Sequence, residues 1–169
     1  LLYSVGTVQI INIAANIFRC VVSKPFGKFS DKYSYARGIE LAMCIAAAAF
    51  LINSFTAPST RILIVVYTIL YNVSIAGTNQ NLINITYSYV ESEYFVQATA
   101  IKNSIGGICG FLASLLAGKL VSYIQKSGNM IFGLHVYAQQ ILSLCSFILI
   151  AAAILYIHFV ISKQKIMKQ

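Results

Sequence analysis

The chain has 169 residues, 59% of them hydrophobic and only 9% charged, with a mean hydropathy of +0.78. So little polar surface cannot coat a water-soluble domain of this length, and lipid is its expected solvent. The formal charge of +8 does not point to nucleic acid, because the cations fall in the gaps between apolar runs instead of clustering on one face.

A bilayer core of about 30 Å takes roughly 20 apolar helical residues to cross. Five stretches qualify, at about 1–22, 38–55, 61–87, 100–124 and 134–161, so the predicted fold class is all-α integral membrane, a single transmembrane bundle over 1–169. The opening Leu1, Leu2 and Tyr3 carry no methionine and no basic lead, unlike a signal peptide, and the expectation is a start inside a larger protein.

The first span carries Gln9, Asn12, Asn16 and Arg19 at spacings of three, four and three, which confines them to less than a third of the helix circumference. Polar side chains within a membrane are costly unless they face each other or a water-filled cavity. Interhelical hydrogen bonds, each contributing about 0.6 kcal/mol, are one reading; four polar groups on one line favour a hydrated pathway. After this span comes a polar segment from Gly27 to Arg37, holding Lys28, Asp31 and Lys32, with Lys24 just before it. Its expected form is a turn between two membrane helices.

The third span repeats the polar theme. Thr68, Asn72 and Asn79 share a face, while Gln80, Asn81 and Asn84 add amides around one half of the helix, so this half must line a passage or be surrounded by protein. Amides supply donors and acceptors without charge, which suits a neutral, hydroxyl-rich solute. Glu91 and Glu93 follow at the end of the span.

In the fourth span Gly106, Gly110, Ser114 and Gly118 recur every four residues, beside Gly107, Ala113 and Ala117. This small-residue ridge is expected to let another helix approach closely. The last span has His135 and His158 near opposite ends, where interfacial packing is the expected role of each.

Catalytic chemistry finds no support. No nucleophile–base order, paired buried carboxylate or phosphate-cradling loop stands out, and Cys20, Cys44, Cys109 and Cys145 lie far apart inside apolar stretches, which reads as packing instead of a metal or disulfide framework. Neither a metal nor a cofactor is expected. The acidic residues Asp31, Glu40, Glu91 and Glu93 all fall at or near one side, so a carboxylate deep in the membrane, the usual mark of proton coupling, is not expected either.

Cations in short loops stay cytoplasmic. With the Gly27 segment inside, that side holds Lys24, Lys28, Lys32, Arg37, Lys102, Lys163, Lys165 and Lys168, against Arg61 and Lys126 outside and Lys119 near the membrane edge. The expected localisation is the cell membrane, multi-pass. Five spans leave the chain ends on opposite sides, and at least one further helix is expected upstream.

The segment around Gly27 resembles the signature loop of the major facilitator superfamily, in which a glycine is followed four residues later by aspartate, then a cation, then glycine and further cations. Gly27, Asp31 and Lys32 fit that order; Ser34 stands where the second glycine is expected, and Arg37 is displaced by one. The loop occurs between the second and third helices of that family and again, degraded, between the eighth and ninth. The degradation, the basic tail and a fourth span without the family's fifth-helix proline favour helices eight to twelve, with helices two to six as the alternative.

The resemblance implies an incomplete six-helix bundle of a twelve-helix transporter, whose N-terminal half lies outside this chain, and alternating access to a central solute site. It further implies that the first and third spans wall the cavity. Gly27, Asp31, Lys32, Arg37, Glu91 and Glu93 would form a cytoplasmic gate. The alternative function is a non-transporting membrane receptor or scaffold on the same fold, and solute-dependent flux separates the two.

Overall fold

The computed structural model describes residues 4–131 and 134–161, and the side chains of Ile131 and Leu134 lie outside that description. Leu1 to Tyr3 at the start of the first predicted span, and the tail cations Lys163, Lys165 and Lys168, fall outside the described residues. Five long helices follow one another: α1 (Val5–Lys32), α2 (Tyr35–Ser54), α3 (Ile62–Tyr89), α4 (Phe95–Lys126) and α5 (Ala138–Phe159). A single 3-10 turn, Ser92–Tyr94, precedes α4, and a two-residue antiparallel ladder, Met130–Ile131 with Leu134–His135, precedes α5. All five helices are long and apolar enough to cross a membrane, and the chain is a multi-pass membrane protein.

The largest departure from expectation is at the polar segment. Gly27, Lys28, Asp31 and Lys32 are helical, in the last turns of α1, and the turn itself is only Tyr33 and Ser34. At 1.5 Å per residue the 28 residues of α1 span about 42 Å, roughly two turns more than a bilayer core, so a charged end can project into water without breaking the helix. Pro25 lies inside α1 and removes one backbone donor, yet the helix continues because Phe26 and Ser30 beyond it are buried. Ser34 accepts from the Arg37 amide at 3.2 Å as N-cap of α2, a task the glycine of the resembled loop has no side chain to perform. α5 starts at Ala138, later than the predicted 134, because Leu134 and His135 belong to the ladder.

α2 is the centre of the bundle. Its buried residues Gly38, Ala42, Ala46, Ala49 and Asn53 fall every three or four positions, and α3 and α5 pack against it. Small side chains on this face permit close approach, which supplies the van der Waals contact that lipid cannot. α1 lies mainly on α3. A Cβ at Gly77 of α3 would come within 2.9 Å of the Ala42 Cβ and 2.7 Å of the Phe26 ring, so α1, α2 and α3 meet there at the smallest possible residue. Further along, Phe50 of α2 sits against Tyr67 and Tyr71 of α3, with centroid separations of 5.5 Å to each ring.

α4 is different. Only Ile124 of its 32 residues is buried, and its contacts with α3 and α5 are sparse. The predicted packing ridge is open: a Cβ at Gly106, Gly107, Gly110 or Gly118 would meet nothing within 4 Å. Among the described residues, the small-residue face that packs helices is on α2, where alanines hide it from a search for glycine spacing.

Candidate functional site

Because successive helices run in opposite directions, the bundle has a hairpin end, holding the α1–α2 turn and the α3–α4 connection, and an opposite end, holding residues 55–61 and the ladder. The candidate pathway residues occupy α1 and α3 between these ends. Gln9, Asn12 and Asn16 are exposed and Arg19 is half-buried. The α1 contact face is instead Ala15, Phe26 and Ser30, so no helix of this chain covers the polar stripe.

On α3, Asn79 is exposed, while Thr68, Asn72 and Gln80 are half-buried. Thr68 donates to the Ile64 carbonyl and Asn72 to the Thr68 carbonyl, both at 2.8 Å. These bonds to carbonyls one turn back leave the Asn72 amide oxygen able to accept from another group. Asn81 is fully buried and donates to the Gly77 carbonyl at 2.8 Å. α1 and α3 are thus brought side by side, each with amides on a face the bundle leaves open.

The six residues expected to form a gate all lie at the hairpin end. Gly27 is a packing position, since a Cβ there would stand 2.7 Å from Gln80 Nε2. Asp31, Lys32, Arg37, Glu91 and Glu93 are exposed, and among the described residues no ion pair joins them. Lys32 instead places its Nζ 5.3 Å from the Tyr33 ring centroid. Asp31 occupies the last turn of α1, the negative end of a helix dipole, where a carboxylate gains nothing from its own helix.

Two polar linkages emerge that sequence reasoning missed, both between α2 and α5. At the opposite end, Asn53 donates from Nδ2 to Ser143 Oγ at 2.7 Å and accepts at Oδ1 from Gln139 Nε2 at 2.9 Å. Thr56 Oγ1 donates to the same Oδ1 at 3.3 Å, and Gln140 Nε2 to the Thr56 carbonyl at 3.1 Å. Asn53, Thr56 and Ser143 are buried, and every one of these groups is satisfied. At the hairpin end, His158 Nδ1 lies 2.9 Å from Glu40 Oε1, a hydrogen-bonded contact between α5 and α2. The available signal was positional: Asn53 and Gln139–Gln140, like Glu40 and His158, occupy matching ends of two apolar runs of opposite direction.

Beside the Asn53 linkage a cleft of about 260 Å³ is lined by Pro58, Gln125, Asn129, Tyr137, Ala138 and Gln139. None of the residues expected to contact solute reaches it. No group of three or more metal-ligating side chains occurs among the described residues. No family model, curated protein or solved structure matches this chain.

Proposed function

We propose that the chain is part of a secondary transporter that moves a small polar solute across the cell membrane by alternating access, as the resemblance to the major facilitator superfamily implies. The observation that carries this reading is the α1 stripe of Gln9, Asn12 and Asn16, which lies in a membrane-length helix and is covered by no other helix of the chain. Amides exposed to hydrocarbon would each lose their hydrogen bonds, so the stripe calls for water, solute or further protein opposite it. The exposed Asn79 and half-buried Asn72 on the adjoining α3 extend the same wall. On this reading the missing N-terminal half closes the passage, and the hairpin end faces the cytoplasm.

A scaffold or receptor is the second reading, favoured by the open face of α4, which offers protein a surface as readily as lipid. The test is flux by the complete protein in vesicles, with Asn12, Asn16, Asn72 and Asn79 replaced singly by leucine. Transport should fall while membrane levels hold. Normal flux in all four variants would remove the amides from the pathway, and absence of solute-dependent flux in the parent would favour the scaffold.

A further inference from the structure

α2 and α5 are tied at both ends, by chemistry of two different kinds. The ties at the opposite end, Asn53 with Ser143 and Gln139, are neutral amide and hydroxyl bonds that no ordinary change of pH affects. The tie at the hairpin end, Glu40 with His158, joins two titratable groups 118 positions apart in sequence. His158 stands in the last turn of α5, where a cation meets the negative end of that helix's dipole, and Glu40 is in the second turn of α2.

We propose that Glu40 and His158 form a proton-operated latch, which holds the hairpin ends of α2 and α5 together when the imidazole is charged and lets them part, about the Asn53 linkage as a fixed point, when it is neutral. The inference concerns two helices of this chain and stands whatever solute the complete protein moves.

Histidine is the side chain whose ordinary charge change falls between about pH 5 and 8. A hydrogen bond between two ionised partners is roughly twice as strong as a neutral one, so loss of the imidazolium charge weakens this contact without abolishing it, because a neutral ring protonated at Nδ1 still donates. The His158 side chain is 57% exposed and stands in the last turn of α5, at the end of that span.

At this end the other charged or titratable side chains among the described residues include Lys24, Lys28, Asp31, Lys32 and Tyr33 on α1 and its turn, Tyr35, Arg37 and Cys44 on α2, Tyr89, Glu91, Glu93 and Tyr94 at and after the end of α3, Lys102 on α4 and Tyr156 on α5, and Lys163, Lys165 and Lys168 follow α5 in sequence; among the described residues none of these forms an ion pair with Glu40. Arg37 and Cys44, three before and four after Glu40, share its helix face. Arginine stays protonated throughout the range, so it supplies a constant field and not a switch.

The experiment uses the full chain in vesicles, its four native cysteines replaced, with spin labels at Leu41 and Leu155 near the latch. A second pair at Leu51 and Leu144, which line one groove between α2 and α5 near the Asn53 linkage, reports on the fixed end. Between about pH 5.5 and about pH 8.5 the Leu41–Leu155 distance distribution should shift toward a longer, broader population by roughly two- to five-fold in the ratio of open to closed, the range for an exposed ion pair. The Leu51–Leu144 distance should not change. Glu40→Gln and His158→Gln should each leave the Leu51–Leu144 distance intact, which shows the fold preserved, and each should abolish the response to pH. An invariant Leu41–Leu155 distance in the parent, or a response that survives in either variant, overturns the latch.

Discussion

Replacing Gly77 by alanine adds one methyl group at the point where three helices meet. The new Cβ would stand 2.7 and 2.8 Å from two atoms of the Phe26 ring and 2.9 Å from the Ala42 Cβ, all closer than real Cβ contacts tolerate. Ala42 is fully buried and cannot give, whereas the Phe26 ring, 5% exposed, borders a cleft of about 360 Å³ into which it can turn in part. Forcing a methyl into such packing costs about 1–3 kcal/mol, against which the better helix propensity of alanine returns about 0.5–1 kcal/mol. The net expectation is a loss of about 1–2 kcal/mol. Gly110→Ala is the matched control, because a Cβ there meets nothing within 4 Å, and it should be neutral or slightly stabilising. Denaturant unfolding in detergent compares the two. Combining Gly77→Ala with Phe26→Leu, which withdraws the ring, should cost less than the sum of the single changes. If Gly110→Ala destabilised this chain more than Gly77→Ala, the junction of α1, α2 and α3 at Gly77 would be wrong.

Asn53→Leu should destabilise by about 1–3 kcal/mol, since it orphans the buried Ser143 and Thr56 hydroxyls as well as the Gln139 amide; Ser143→Ala, which removes one bond, should cost less, and equal stability of Asn53→Leu and parent in the same unfolding assay would deny the linkage any role. Asp31→Asn should leave the stability of the chain unchanged or slightly raised, because the carboxylate sits at a helix C-terminus without an ion pair among the described residues; on the proposed transporter reading it should also slow flux by the complete protein and increase thiol labelling, from the hairpin side, of a cysteine at Asn79. Unchanged flux and labelling would reduce the Gly27 segment to a topology signal.

The five spans were legible because hydropathy alone decides them: each run of apolar residues has a length the bilayer dictates. The ends of the helices were not. α1 passes through Pro25 and a charged segment because Phe26 and Gly27 pack against Gly77 and Gln80, and contacts between residues about fifty positions apart leave no local trace. The same limit applied to small residues. Glycines every four residues on α4 look like a packing ridge, whereas the alanines of α2 look like hydropathy, yet α2 is the helix with neighbours on two sides. Among polar residues, the amides that line up along one helix, Asn12 with Asn16 and Asn72 with Asn79, are visible in the sequence. Those that act across helices, Asn53 with Ser143 and Glu40 with His158, are not, because helix periodicity shows which side chains share a face but not which face meets another.

The satisfaction of polar groups divides the bundle into a firm end and a loose one. At the opposite end every member of the Asn53 network is paired. At the hairpin end Ser30 Oγ, Gln80 Oε1 and Asn81 Oδ1 are buried with no hydrogen-bond partner among the described residues, clustered where Gly27 and Gly38 let α1, α2 and α3 approach most closely. Each such atom costs about 1–3 kcal/mol relative to a paired one; with Thr99 Oγ1 near the start of α4, four of them weigh against this arrangement of the hairpin end and, among the described residues, none against the arrangement of the other. The Asn53 network, whose members all lie on α2, α5 and the loop between α2 and α3, holds no such unpaired atom. The hairpin end is therefore where this bundle has least to lose by moving, and Asp31, Glu91 and the Glu40–His158 pair all lie there.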